Sequence, residues 1–147
     1  MGNWAEVALA APACVLAAGL AVALLLGAVG RHPMWPHREL NLSEAAAVRD
    51  EAEVVRLIEY GEDPNGRREI RPGLLFDSVV RLSPLEAAVA SQRAEMIELL
   101  LANGALMDAA LWNRLRCLAR GHEVPLALER HRPAGAIMRC EGIERPW

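Results

Sequence analysis

The stretch SPLEAAVASQRAEMIELLLANGALMD, Ser83 to Asp108, decides the fold. Ser83 is a helix N-cap residue, Pro84 stands at the first helical position where its missing N–H costs nothing, and Glu86 is placed to complete a capping box. A helix is therefore predicted to begin at Pro84. Its small residues Ala87, Ala88 and Ala90 let a neighbouring helix approach closely. Met96, Ile97, Leu100 and Leu101 recur at helical spacing and predict a second helix, and Gly104 permits a left-handed cap at its end.

The same pattern occurs upstream. Asn41-x-x-Glu44 lies 42 residues before Ser83-x-x-Glu86, and that offset pairs Ala45 with Ala87, Ala46 with Ala88, Glu53 with Glu95, Leu57 with Leu99 and Ile58 with Leu100. Beyond Ile58 the offset becomes 43, pairing Gly61 with Gly104 and Asn65 with Asp108. The first copy is one residue shorter in its second helix or in the turn after it.

The stretch resembles one ankyrin repeat. Ser83, Pro84 and Leu85 stand where the family has Thr-Pro-Leu, and Ala88 holds a small position. Glu95, Met96, Ile97, Leu99, Leu100 and Leu101 supply the second helix, and Gly104-Ala105 closes it. Glu86 replaces the usual His, and Gln92 replaces the Gly that normally separates the helices. The upstream ending GEDPN, Gly61 to Asn65, also looks like an ankyrin loop.

An offset of 42 exceeds the ankyrin period of roughly 33 by about nine residues. The surplus falls in residues 66–82, GRREIRPGLLFDSVVRL, and the resemblance implies an enlarged ankyrin finger with Pro72-Gly73 as its turn. Leu74, Leu75, Phe76, Val79 and Val80 provide a short strand or a helical turn on the return side. A repeat stack needs about three units to bury a continuous core. Residues 109–132 supply the third, with a helical rhythm at Ala110, Leu111, Leu115, Leu118 and Ala119, a break at Gly121 and a short helix over Val124 to Leu128. Lacking the Thr-Pro-Leu signature, this unit reads as a degenerate C-terminal cap.

Val7 to Val29 is a run of 23 residues with no charge, containing six Leu and four Val. As a helix it spans about 34 Å, enough for a hydrocarbon core of about 30 Å. A transmembrane helix over 7–30 is predicted, with Trp4, Arg31, Trp35 and Arg38 as membrane-interface anchors and Gly19, Ala23 and Gly27 as a small-residue packing stripe facing a possible helix partner. Arg31 and Arg38 follow the run, whereas no Arg or Lys precedes it. The positive-inside rule then puts the N-terminus outside and the ankyrin region in the cytoplasm. The whole reads as an all-α chain: a tail at 1–6, a membrane helix, a linker at 31–40, an ankyrin solenoid over 41–132 and an extension over 133–147.

All 16 basic residues are Arg, against 19 acids, for a formal charge of −3. That balance argues against general nucleic-acid affinity. The Arg and Ala usage suggests a GC-rich bacterial genome, and the chain resembles small bacterial membrane-anchored ankyrin proteins. Charge is uneven: residues 39–65 carry eight acids and two Arg, while residues 109–147 carry seven Arg and four acids.

Three cysteines make no disulfide framework. Cys14 lies in the apolar run, Cys117 reads as a small apolar residue of the capping helix, and a domain outside the cytoplasm would favour a Cys117–Cys140 bridge. Cys117, His122, His131 and Cys140 have no familiar zinc spacing. Neither a phosphate loop, nor HExxH, nor a nucleophile elbow is present, so neither enzyme activity, a metal nor any other cofactor is expected.

What the resemblance implies is protein binding through the finger and the face lined by first helices. Arg67, Arg68, Arg71 and Phe76 on the finger and Trp112 on the capping unit are the candidate contacts, Arg and aromatics being favoured at interface hot spots. The expected function is a membrane-tethered adaptor, or an inhibitor of immunity type, for a protein partner. The alternative is an accessory subunit recruited into a membrane complex through its helix, with lipid as a further contact.

Overall fold

Asn41 and Ser83 each open a helix by the same device. The structure, a computed structural model, describes residues 15–25 and 39–143. The chain divides into two units, residues 1–39 and 40–147.

In the second unit, α2 (Leu42–Val48) and α4 (Pro84–Ala90) both begin with a complete capping box. The Asn41 side chain accepts from the Glu44 N–H at 3.0 Å, and the Glu44 carboxylate accepts from the Asn41 N–H at 3.3 Å. The Ser83 hydroxyl and Glu86 carboxylate exchange the same bonds, at 3.3 and 2.8 Å. Each helix is followed by a partner, α3 (Glu51–Glu59) and α5 (Ala94–Ala102). Helix ends repeat as well. Glu62 N–H donates to Leu57 O and Ala105 N–H to Leu100 O, across Gly61 at φ 94° and Gly104 at φ 91°. These are Schellman closures, for which the left-handed residue is best glycine.

The first helices close in the same way without glycine. Asp50 N–H donates to Ala45 O across Arg49 at φ 70°, and Arg93 N–H donates to Ala88 O across Gln92 at φ 56°. The Gln92 side chain offsets the strain of this conformation, because its amide donates to Val89 O and its oxygen accepts from Arg120 N–H at 2.8 Å. A third pair follows: α6 (Ala109–Leu118), capped by Asp108, and α7 (Glu123–Arg130). Pro125 lies in the first turn of α7, where its N–H would have no intrahelical partner.

The pairs stack in two layers. α2 packs on α4 and α4 on α6, while α3 lies against α5 and α5 against α7. One core runs through them, from Leu42 and Val54 through Leu85, Ile97 and Leu100 to Trp112, Leu115 and Leu128. Alanines 45, 46, 87 and 88 are fully buried where α2 meets α4, which is why both first helices are Ala-rich. Asn65 stitches one loop to the next, donating to Gly104 O and accepting from Leu106 N–H at 2.7 Å.

Between the first two pairs, residues 66–82 carry a β-hairpin, so this mostly helical unit also holds a two-stranded sheet that the all-α class leaves out. β1 (Arg68–Ile70) and β2 (Val80–Leu82) pair antiparallel, with Glu69 opposite Arg81. Ile70 and Leu82 are buried and seat the hairpin on the core. Ser43 locks it further by donating to Leu82 O at 2.8 Å.

The expected transmembrane helix is also corrected. Among the described residues no helix is long and apolar enough to cross a membrane. In the first unit the described residues, 15–25, are helical (α1). The expectation rested on the apolarity of the run alone. The single-pass description, the membrane localisation and the inferred orientation are withdrawn with it. Gly19 and Ala23 fall within α1, and a Cβ added at Gly19 would meet nothing within 4 Å. Gly27 and the proposed anchors Trp4, Arg31, Trp35 and Arg38 lie outside the described residues.

Candidate functional site, an arginine face built on buried carboxylates

The capping-box acids do more than close helix starts. Glu44 and Glu86 are 2% and 1% exposed, and a carboxylate at that depth needs a cationic partner to remain charged. For Glu44 the partner is Arg71, at the end of β1. Its Nε donates to Oε1 at 2.6 Å, its Nη2 to Oε2 at 2.9 Å and its backbone N–H to Oε1 at 3.1 Å. This is the planar fork matched to a carboxylate that Lys cannot provide. Burial alone would raise the Glu44 pKa, but the Arg71 side-chain and backbone bonds, with the Asn41 N–H, outweigh it and hold the acid below its ordinary value of 4.5. The same Glu44 bond raises the pKa of Arg71.

Glu86 serves two arginines from different parts of the chain. Arg67 Nη2 from the finger stands 3.2 Å from Oε2, and Arg114 Nη2 from α6 stands 3.1 Å from Oε1. Arg67 also donates to Arg81 O at 2.9 Å, which braces it along the opposite strand. The two guanidinium side chains keep 48% and 42% of their surface in solvent. Their shared carboxylate is hidden, so these two side chains present donors, beside the exposed Asp108. A recess of about 250 Å³ lies between them, lined by Asn65, Arg67, Ser83, Glu86, Asp108 and Arg114 among others. Beside it, a recess of about 460 Å³ is lined by Asn41, Glu62, Arg67, Arg68, Glu69 and Arg81. The first lining also includes Ala110 and Leu111, whereas the second is made of polar and charged residues alone.

The five contact candidates therefore separate. Arg67 and Arg68 belong to one face, with Arg68 exposed on β1. Arg71 adjoins them but is engaged by Glu44, with 33% of its side chain exposed. Phe76 is half-buried and packs against the core from the hairpin loop. Trp112 is 0% exposed, its indole N–H donates to Leu128 O at 2.8 Å, and the Arg132 guanidinium lies 4.9 Å from its ring centre. It is a core residue with no surface to offer a partner, which corrects its assignment as a contact.

Arg81 and Arg114 are the face residues that sequence reasoning missed. Arg81 had a usable signal, since alternation with the buried Leu82 turns it to the outer face of β2. Arg114 had none, because it meets Glu86 only through the stacking of α6 on α4. Cys117 and Cys140 are joined to each other in a disulfide with a Cα–Cα distance of 5.5 Å. Among the described residues no group of three or more His, Cys, Asp or Glu is arranged to hold a metal ion. No family model, no curated protein and no solved structure matches the chain.

Proposed function

We propose that the chain is a protein-binding module of ankyrin type, acting as an adaptor or inhibitor that captures an acidic segment of a protein partner on the finger and the adjoining first-helix face. The observation that supports this reading most is the pairing of half-exposed Arg67 and Arg114 with a fully hidden Glu86. Arg67 is braced by its bond to Arg81 O, and both guanidinium groups stand within ion-pair distance of Glu86, so less side-chain entropy remains to be lost when a partner carboxylate docks. The repeated capping boxes, the matched Schellman closures and the enlarged hairpin between helix pairs support the ankyrin resemblance.

The test compares retention of partner proteins from the native cells by three forms of the full chain. These are the wild type, Arg67→Glu with Arg68→Glu, and Arg130→Glu as a basic-to-acidic control on α7. The reading requires a loss of at least tenfold for the double variant alone, and a steep fall in wild-type retention as salt is raised. Equal retention by all three forms refutes it.

A further inference from the structure

The segment after α7 returns along α6 as a strap. Of residues 133–143 only Ala136 is buried, while Ile137 and Met138 stand 62% and 52% exposed. Such a segment contributes little apolar burial against the freedom it loses on ordering. Its attachment is concentrated on one face of α6. Asn113 and Cys117 are four residues apart, so they stand one above the other on the helix. Asn113 takes both backbone groups of Arg139, accepting from its N–H at 2.7 Å and donating to its carbonyl at 2.9 Å. Cys117 is bonded to the next residue, Cys140. Farther back, Arg132 Nε donates to Ala136 O at 3.1 Å, and the same guanidinium lies over Trp112. The seat of Ala136 thus fixes the cation that covers the tryptophan.

We propose that the Cys117–Cys140 bond is a redox latch, which in an oxidising compartment holds the strap on α6 and which a dithiol reductant opens. In that step a thiolate of the reductant attacks the sulfur of Cys140, which lies on an exposed stretch. A mixed disulfide forms, the Cys117–Cys140 bond breaks and its electron pair leaves on Cys117, which takes up a proton. The second thiol of the reductant then displaces Cys140 as a thiol. The reductant ends as its own disulfide, and two electrons have passed to the chain. Opening leaves the strap with the Asn113 clasp, the Ala136 seat and the partly buried Ile143, and loosens Arg132 over Trp112. The proposal is independent of the arginine face. It also sets the closed form outside a reducing cytoplasm, where bridges of this kind persist.

Hydrogen exchange on the full chain tests the latch, with and without dithiothreitol and in a Cys140→Ser variant. The amides of Ala136 and Arg139, which donate to Pro133 O and to Asn113, report the strap. Those of Val54 and Ala105, which donate to Asp50 O and Leu100 O, report the stack. The latch predicts at least a tenfold loss of protection at 136 and 139 on reduction, unchanged protection at 54 and 105, and the same opened pattern in Cys140→Ser without reductant. Undiminished protection at 136 and 139 in the reduced chain overturns it, because noncovalent contacts then suffice. A parallel loss at all four amides also overturns it, because the bond is then a staple of the whole fold. An effect of reductant that persists in Cys140→Ser does so too.

Discussion

Replacing Glu86 with alanine separates the buried-socket account from an ordinary surface ion pair. The carboxylate accepts the Ser83 N–H at 2.8 Å and stands within 3.2 Å of Arg67 and 3.1 Å of Arg114 while 1% exposed. Its removal leaves a buried backbone donor unsatisfied, at about 1–3 kcal/mol. Breaking a fully buried pair by deleting one partner costs about 3–5 kcal/mol. The two guanidinium groups are nearly half exposed and rehydrate, which moves the expectation to the low end, about 2–3 kcal/mol. At about 4 °C per kcal/mol for a domain near 100 residues, the melting temperature falls by about 8–12 °C. Glu86→Gln keeps an oxygen for Ser83 but sets an amide NH2 against the Arg114 guanidinium, a loss of about 1–2 kcal/mol. Arg67→Ala and Arg114→Ala each remove a half-exposed partner and cost no more than about 1 kcal/mol. Urea unfolding at pH 7 with a common slope measures all four. An alanine at 86 within about 0.5 kcal/mol of wild type, or an arginine variant as costly as Glu86→Ala, refutes the reasoning.

Glu44 adds an acid-sensitive term. Its folded pKa lies below the ordinary 4.5, so its contribution is complete above that pH and disappears as pH falls through the folded value; unfolding between pH 7 and 3 should show this loss, and Arg71→Ala should flatten it. Trp112→Ala removes the largest buried side chain and leaves Leu128 O without its indole donor, so a loss of about 3–5 kcal/mol is expected in urea unfolding; a smaller effect than Glu86→Gln would contradict the core assignment. Arg49→Gly relieves a left-handed residue whose guanidinium makes one long bond, 3.4 Å to Ser91 O, and should raise stability by up to about 1 kcal/mol. Gln92→Gly relieves the same strain but loses two side-chain bonds, and its melting temperature should stay close to wild type.

Local chemistry made much of the stack legible. Ser83, Pro84 and Glu86 mark the start of α4, and Asn41 with Glu44 marks α2, because capping is decided within four residues. Gly61 and Gly104 mark the ends of α3 and α5 for the same reason. What the sequence concealed depends on contacts between distant segments. Glu86 reads as a departure from the ankyrin pattern until Arg67 and Arg114 are seen to converge on it. Trp112 reads as a contact until α7 brings Leu128 O to its indole. The bond between Cys117 and Cys140 requires the strap to turn back along α6 across 23 residues. Hydropathy misled in a different way, since the transmembrane expectation rested on the apolar run beginning at Val7 alone, and among the described residues no helix is long and apolar enough to cross a membrane.

Site-specific photocrosslinking tests the central claim most directly. A benzoylphenylalanine is placed at Val79, 57% exposed on the finger, or at Tyr60, 78% exposed at the end of α3. Irradiation in the native cells should link a partner protein from position 79 and not from position 60, and Arg67→Glu in the same chain should abolish the link. A partner captured from position 60 alone, or a link at 79 indifferent to Arg67→Glu, contradicts the account.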